Sequence, residues 1–357
     1  MTAYAPSTAR AAARTSPEVR SVRQVRQHAR TRTTSVCVGL LAALAVVSAA
    51  ALTLGDYPLS LDQLGATLLG HGTTASDFIV LDLRLPRLLT GLLVGVCFGL
   101  SGTTFQTLLR NPLASPDVIG ISYGASAGGV LALLLLGWTG LAVSGAALGG
   151  ALLAAALGYG LAWRGGLAGS RFVLVGVGVS SLMTAVVSWL MTRADVVEAQ
   201  TALVWLTGSL NGSSAAQLHP LALACLVLVP LTLLTRRALL VLQLGDDVAA
   251  SVGLRVEAAR LAAIVLAVML AAVATAAAGP VGFVAFVAGP VARRLTRGSG
   301  PSLVPAALVG ALVVVLSDVA GQHLLPFQLP VGVVTAAVGA PYLLYLLVRS
   351  NRAGVGG

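Results

Sequence analysis

Long apolar stretches separated by short polar segments run along nearly the whole chain. The first spans 34–54, and others follow at about 88–109, 118–137, 140–163, 172–192, 217–235, 261–279, 302–321 and 329–348. Each is close to the ~20 residues that an α-helix needs to cross a bilayer. A further apolar run at 281–292 is too short to cross alone at ~1.5 Å per residue. The pattern predicts an all-α membrane protein with ten transmembrane helices over residues 34–350.

The polar segments set the boundaries of this predicted domain. Residues 1–33 are rich in Ala, Thr, Ser and Arg without apolar periodicity, which predicts a disordered tail. A cleaved signal peptide ending near Ala49–Ala51 is the competing interpretation, but the charged region before it is too long. Residues 55–87 and 193–216 are polar and predict two loops.

The composition and the charge pattern fit insertion in a membrane. The chain is 57% hydrophobic and 10% charged, whereas soluble domains carry about 25% charged residues. The net charge is +10, every lysine-or-arginine position is an arginine, and many arginines lie in the first 33 residues. With the N-terminus inside the cell, every arginine except Arg84, Arg87 and Arg193 falls on the cytoplasmic side. We therefore expect a multi-pass plasma-membrane protein with both termini cytoplasmic, whose arginines orient the chain and do not bind nucleic acid.

The side chains that common enzymatic chemistry requires are not grouped in this sequence. The chain has no lysine, so it cannot form the phosphate-binding loop of an ATPase. The four histidines are scattered, and the three cysteines lie in apolar stretches, where we expect small core residues. No cluster has metal-ligand spacing. The sequence thus predicts no catalytic site, no metal and no cofactor bound by this chain.

Arg84 and Arg87 flank Pro86 just before an apolar helix, on the side where arginine is scarce. One interpretation is that they anchor the helix end at the membrane interface. The other is that they present positive charge to an acidic partner outside the cell, which favours orientation and association rate.

Five glycines have the spacing of close-packed transmembrane helices. Small residues four positions apart lie on one helix face and let a neighbouring backbone approach. We expect a role in packing first and in lining a pathway second. The glycines are Gly91, Gly95 and Gly99 in one predicted helix and Gly124 and Gly128 in the next.

The polar segment at 243–258 predicts two short helices around Gly253, with small apolar side chains between charged ones. The neighbouring loops on this side are short. An amphipathic segment of this length therefore favours a docking surface for a cytoplasmic protein over an ordinary connection.

Asp318 is an acidic residue placed inside a predicted span. An intramembrane carboxylate is a candidate for proton coupling. A structural role, hydrogen-bonded to Ser317 or Gln322, is the alternative. An ion-coupled secondary transporter that uses Asp318 therefore stays open from these residues alone.

Several motifs in order along the chain resemble the signature of the FecCD-type permease family, which comprises the membrane subunits of ABC importers for ferric siderophores, haem and cobalamin. The resemblance covers about residues 35–350. The motifs are Arg84-Leu-Pro-Arg87, LRNPLASPDVIG at 109–120, SYGASA at 122–127, LGDDVAASVGLR at 244–255, AGPVGFV at 278–284, ARR at 292–294, LPVGVVT at 329–335 and GAP at 339–341.

The resemblance implies a type II ABC importer permease, a ten-helix subunit that dimerises around a translocation pathway. It implies two cytoplasmic ATPase subunits, which bind the ATP and Mg²⁺, and an extracytoplasmic siderophore-binding protein. Arg84 and Arg87 would contact that binding protein. The residues that would couple to the ATPase are Leu244, Gly245, Asp246, Asp247, Ala249, Gly253, Leu254 and Arg255.

Three positions depart from the common pattern of the family. Gly289-Pro290 stands where many members have Pro-His, Gln322 where many have Arg, and Gln328 where many have Glu. The missing arginine puts a third outer docking charge in doubt. The variants Ala-Gly-Pro at 288–290 and Gly-Gln-His at 321–323 resemble the second permease of heterodimeric siderophore systems, which favours a non-identical permease partner over a homodimer. The sequence leaves open which siderophore is carried, or whether haem or cobalamin is carried instead.

Overall fold

The computed structural model describes residues 17–163, 169–298 and 300–354, and these residues form helices joined by short connections, without a strand. We number the helices α1 to α15. A π-helical segment, Phe78–Arg84, joins α3 to α4. The helices are α1 Pro17–Thr53, α2 Leu61–Leu68, α3 Thr74–Asp77, α4 Leu85–Leu108, α5 Ile121–Leu134, α6 Leu141–Ala162, α7 Gly169–Met191, α8 Val196–Leu206, α9 Ala215–Leu234, α10 Arg236–Leu242, α11 Asp246–Ser251, α12 Val256–Ala278, α13 Val284–Thr296, α14 Leu303–His323 and α15 Val331–Gly354.

The predicted all-α membrane fold is confirmed. Within the described residues, seven helical stretches are long and apolar enough to cross a membrane, and three apolar helices are shorter. Each of the ten predicted spans coincides with a helix, and the short run at 281–292 is the 13-residue α13.

Three predictions about the polar segments were wrong. The part of the tail at 17–33 continues α1, because lengthening an existing helix avoids the cost of starting one; residues 1–16 lie outside the described residues. The predicted loop at 55–87 holds α2 and α3, which begin at capping boxes on Ser60 and Thr73. The predicted loop at 193–216 holds α8, which begins where Glu198 accepts a hydrogen bond from the Asp195 N–H at 3.4 Å.

Helix α4 is the centre of the bundle and is buried along most of its length. It packs against α12, α13 and α14. A Cβ added at Gly95 would lie 2.5 Å from the Cα of Ala311, so glycine is what lets the α4 and α14 backbones meet. Helix α5 packs in a similar way on α6, where Gly124 and Gly128 face the backbone of Gly150.

The peripheral helices leave most of their apolar surface exposed, as lipid contact requires. Helices α1, α7 and α9 have low burial over their apolar windows. Cys97 of α4 and Cys225 of α9 are buried where these two helices meet, with their sulfur atoms 3.3 Å apart. The core position expected for these two cysteines is confirmed, and both are free thiols.

The two ends of the bundle differ in charge. One end, which we call the basic end, collects arginine contacts: Arg32 Nε donates to the carbonyl of Leu295, and Arg110 donates to the carbonyl of Leu242. The opposite end, which we call the Asp318 end, holds Asp318 together with Arg84 and Arg87. The long helices place candidate functional residues at both ends and along the wall between them.

Candidate functional site

At the Asp318 end, Arg87 is held by a bidentate ion pair. Its Nε and Nη2 atoms donate to the two carboxylate oxygens of Asp318 at 2.9 and 2.8 Å. The amide of Gln322 donates to the same carboxylate at 2.8 Å. Asp318 thus has the structural, hydrogen-bonded role that was one of its two sequence interpretations, and its partner is Arg87 from another helix.

Arg84 is also held within the chain. Its Nη1 donates to the carbonyl of Leu52 and its Nη2 to the carbonyl of Tyr57, both at 2.7 Å. These carbonyls belong to the end of α1 and the turn after it, so Arg84 ties α1 to the start of α4. The contact of Arg84 and Arg87 with an external partner remains a prediction. A partner would have to compete with the internal contacts that both guanidinium groups make.

Arg84, Arg87 and Asp318 line a cavity of about 270 Å³ at the Asp318 end. Gln322 and Gln328, two of the departures from the family pattern, both line it. Gln322 supplies a neutral amide to Asp318 where many family members have a cation. The Asp318 carboxylate therefore accepts hydrogen bonds from the Arg87 guanidinium of α4 and from the Gln322 amide of α14.

A groove of about 1000 Å³ lies between α5 and α7 and is closed at one side by the turn from α12 to α13. We call it the groove. Its walls are mostly apolar and small side chains, with Tyr123 from α5 and Phe283 and Phe286 from α13 and the turn before it. Hydroxyl groups line it as well: Ser122, Ser126, Ser180, Ser181, Thr184 and Ser188.

Most hydroxyl groups of the groove donate their proton within the chain, so they offer a ligand mainly hydrogen-bond acceptors. Ser126, Ser180 and Thr184 each donate to the carbonyl four residues earlier in their own helix, at 2.8–2.9 Å. Their oxygen lone pairs remain available to a ligand. Among the described lining residues there is no arginine and one carboxyl, that of Asp117, so most of the polar contacts that the groove offers come from uncharged hydroxyls.

Asp117 lies at one end of the groove, in the segment that connects α4 to α5. Its carboxylate accepts a hydrogen bond from the hydroxyl of Ser122. Burial raises the pKa of the Asp117 carboxyl, and the hydrogen bond from Ser122 acts in the opposite direction. The pair fixes the start of α5 against the connecting segment.

Sequence reasoning missed the groove, although a signal was present. Ser180, Thr184 and Ser188 are spaced four residues apart, which places three hydroxyls on one face of an otherwise apolar helix. Hydroxyls do not stand out in composition because they are uncharged. Tertiary packing decides which helix these hydroxyls face, and in this structure they face α5 across the groove.

Phe283 occupies a strained position in the wall of the groove. Its φ of 65° lies in the left-handed region, which is rare for a bulky residue. Its side chain contacts α15, where a Cβ on Gly339 would clash with it. Gly339 therefore leaves room for Phe283, and strain of this kind often marks a functional position.

At the basic end, residues 243–258, which we call the coupling segment, form the short helix α11, a turn, and the start of α12. The two short helices predicted around Gly253 are thus one short helix and the first turn of a long one. Leu244, Val248 and Val252 are 67%, 45% and 66% exposed. They form an apolar surface at the end of the bundle, as a docking site for another protein requires.

The turn after α11 explains why glycine occupies position 253. The Gly253 N–H bonds to the carbonyl of Ala250 at 2.9 Å, and the Leu254 N–H bonds to that of Ala249 at 3.1 Å. This is the Schellman pattern that ends helices, and it needs the φ of 84° found at Gly253. The bend fixes the angle between α11 and α12.

The other predicted coupling residues differ in their surroundings. Asp246 is exposed and accepts two hydrogen bonds of 2.8 Å from Arg260, which ties α11 to α12. Asp247 and Arg255 are exposed, Leu254 is half-buried, and Gly245 has a φ of 114° just before α11. Ala249 was also predicted as a contact residue, but its side chain is buried within the fold of this chain.

The five predicted packing glycines lie between helices. Gly91 faces the side chain of Leu210, and Gly95 and Gly99 face the backbone of α14. Gly124 and Gly128 face α6. None of the five lines the groove in the part of the chain that the structure describes. In the same part, no three His, Cys, Asp or Glu side chains are grouped so as to hold a metal ion.

The bundle, the groove and the exposed apolar segment at one end define a multi-pass membrane permease. A solved structure of a metal-chelate type ABC transporter in an inward-facing conformation has the same fold, with a TM-score of 0.77 and 27% identity over 88% of this chain and 99% of that one. The fold is that of a type II ABC importer permease, which works with separate ATPase and binding proteins.

The sequence profile of the FecCD transport family matches residues 41–349, and the chain belongs to this family. It is 41% identical to the ferric enterobactin transport system permease protein FepG of Escherichia coli over 318 residues, covering 88% of this chain and 96% of FepG. It is 35% identical to the probable siderophore transport system permease protein YfhA of Bacillus subtilis over 330 residues, covering 89% and 94%. Membership in this family excludes the ion-coupled secondary transporter as the function of this chain.

Proposed function

We propose that this chain is the permease subunit through which a ferric siderophore crosses the plasma membrane, and that the groove is its half of the pathway. The groove carries the proposal: it has the volume of a small-molecule site, and all of its lining acceptors except Asp117 are uncharged, so a bulky chelate can pass without being held. The similarity to FepG and YfhA, permeases of a ferric enterobactin and a probable siderophore transport system, supports ferric siderophores as the substrate class.

We place the basic end in the cytoplasm, with both termini on that side. Arginine is concentrated there, as the positive-inside rule requires, and the coupling segment lies at the same end. ATP and Mg²⁺ would bind to two partner ATPase subunits. One of them would dock on the exposed apolar side chains of this coupling segment, Leu244, Val248 and Val252. The permease itself would bind no cofactor.

Two further partners complete the proposed importer. A second permease would close the open side of the groove, and a non-identical partner is favoured because Gly289-Pro290 and Gln322 depart from the common family pattern. A siderophore-binding protein would dock at the Asp318 end, near Arg84 and Arg87. An acidic group on that protein would compete with Asp318 for Arg87.

Uptake of radioactive iron by a deletion strain tests this proposal. The strain, with and without the restored gene, is given iron bound to a triscatecholate, a trishydroxamate or a hydroxycarboxylate chelator, and haem and cobalamin serve as further substrates. We expect uptake of at least one ferric chelate to depend on the gene and on the partner ATPase. Unchanged uptake of every ferric chelate, or dependence of haem or cobalamin alone, contradicts the proposed substrate class.

A further inference from the structure

Helix α13 contains a proline that breaks its hydrogen-bond ladder. Pro290 has no N–H, so the carbonyl of Phe286, four residues earlier, has no donor within the helix. A buried carbonyl without a partner is costly. The structure therefore needs a donor from elsewhere at this position.

Gln106 of α4 supplies that donor. Its side-chain nitrogen donates to the carbonyl of Phe286 at 3.2 Å and lies 3.3 Å from that of Ala285. Gln106 is 3% exposed, and Gly289 gives it room, since a Cβ at that position would collide with its amide oxygen. The glutamine thus replaces the hydrogen bond that Pro290 removes.

The same amide group reaches towards the coupling segment. Its oxygen accepts a hydrogen bond from Arg293 at 3.0 Å. Gln106 and Arg293 both line a cavity of about 520 Å³ at the basic end, and Gln243 and Leu244 of the coupling segment line the same cavity. One side of Gln106 therefore meets the region where an ATPase would act.

The other side of Gln106 meets the wall of the groove. Phe286, whose carbonyl it holds, lines the groove with its ring 6.0 Å from that of Phe283. Helix α13 is bounded by two non-glycine residues in the left-handed region, Phe283 at φ 65° and Arg297 at φ 50°. Strained residues cluster at the switch regions of proteins, so a short helix with one at each end is a candidate moving element.

We infer that Gln106 is a positioning residue that transmits movement of the coupling segment to the groove through the Pro290 break. Because Gln106 holds Arg293 and the Phe286 carbonyl at once, a displacement at one end of α13 shifts the aromatic wall at the other. The inference rests on the proposed function. Gln106 is not proposed to touch the substrate.

The test compares Gln106→Met with Thr104→Val in the permease complex reconstituted in liposomes with its ATPase. Thr104 is buried on the same helix, but its hydroxyl donates to the carbonyl of Leu100 in α4 itself. For Gln106→Met we expect uptake to fall about tenfold, the effect of one lost buried hydrogen bond, while ATP hydrolysis continues. The ATP consumed per chelate imported then rises. Thr104→Val is expected to leave this ratio unchanged.

Pro290→Ala provides the decisive background, because alanine restores an N–H that can donate to Phe286 within the helix. In that background we expect Gln106→Met to change the ratio by no more than about twofold, because the restored backbone N–H of residue 290 replaces the side-chain donor that the substitution removes. Gln106→Glu, which retains an acceptor for Arg293 but loses the donor, serves if the methionine variant does not fold. An unchanged ratio in the single variant, or an equal rise in both backgrounds, overturns the inference.

Failure of the proposed function gives a different result. If the wild-type complex imports no ferric chelate, the substrate class is wrong. The interaction between Gln106 and Pro290 is then measured with whichever substrate the wild-type complex imports. If the wild type imports the chelate and the two substitutions act independently, the inference about Gln106 alone is wrong.

Discussion

Arg87 and Asp318 stand 231 positions apart in the chain and form a bidentate ion pair that joins α4 to α14 at one end of the bundle. The same two helices meet at Gly95 and Ala311 further along. The ion pair therefore fixes one end of a helix pair whose middle is held by backbone contact.

Loss of one partner of this pair should destabilise the protein. Asp318→Asn leaves the Arg87 guanidinium without its carboxylate, and we expect a loss of roughly 3 kcal/mol, at the low end of the range for a broken buried pair. The low end applies because the Arg87 side chain keeps 21% exposure. The measurement is thermal unfolding of the purified protein in detergent.

The control for this prediction removes both charges. Arg87→Met combined with Asp318→Leu leaves no unpaired charge, and the Gln322 amide keeps its contact with the main-chain carbonyl of residue 318. The double variant should lie within about 1 kcal/mol of the wild type. A double variant as unstable as Asp318→Asn would show that the charges themselves are not what holds the helices. Near-normal uptake by the double variant would further separate the pair from transport chemistry.

Two glycines on one face of α4 should respond differently to alanine. At Gly95 the new Cβ would lie 2.5 Å from the backbone of Ala311, so the helices must separate, at a cost of about 2–3 kcal/mol. At Gly91 the nearest atom is the flexible end of Leu210 at 2.9 Å. Gly91→Ala should be near neutral, because alanine also favours the helix by about 1 kcal/mol. Equal melting temperatures for the two variants would contradict this account.

The coupling segment should bind its partner through its exposed apolar side chains. Val252→Asp places a charge on a 66% exposed position, and we expect at least about a tenfold loss in affinity for the ATPase subunit, as for a central interface residue. Leu295→Asp, at 40% exposure on the same end but outside the segment, is the matched control. Co-purification and a binding titration measure the effect, and equal losses for both variants would place the docking site elsewhere.

The groove should be sensitive to bulk on one face of α7 only. Thr184→Trp fills the space between α5 and α7 and should abolish uptake while the complex still assembles and hydrolyses ATP. Leu182→Trp, on the lipid-exposed face at 55% exposure, should transport normally. Uptake of the radioactive chelate in matched vesicles is the measurement. Normal uptake by Thr184→Trp would exclude the groove as the pathway.

Most of the helical framework could be predicted from the sequence, because crossing a bilayer requires long apolar helices whose backbone bonds are internal. The errors fell in polar segments. The capping pair Asp195 and Glu198 marks the start of α8 in the sequence itself, but the polar composition around it favoured a loop. Likewise α1 extends back to Pro17, because a polar stretch continues a helix that the apolar part has already formed.

The candidate site could be predicted only in part. The exposed apolar surface of the coupling segment and the bend at Gly253 follow from local pattern and glycine chemistry. The buried position of Ala249 does not, because the sequence of a six-residue helix does not show which face it turns to the bundle.

The sequence by itself determined the membrane-spanning architecture, its charge asymmetry and the family to which the chain is similar, since these depend on composition, spacing and local motifs. Only the tertiary structure decided that Arg87 pairs with Asp318, that the hydroxyls of α7 face α5, and that Gln106 supplies the donor missing at Pro290. Each of these depends on contacts between helices far apart in the chain. In a membrane such contacts are determined by close packing of the helices and by hydrogen bonding between their buried polar groups.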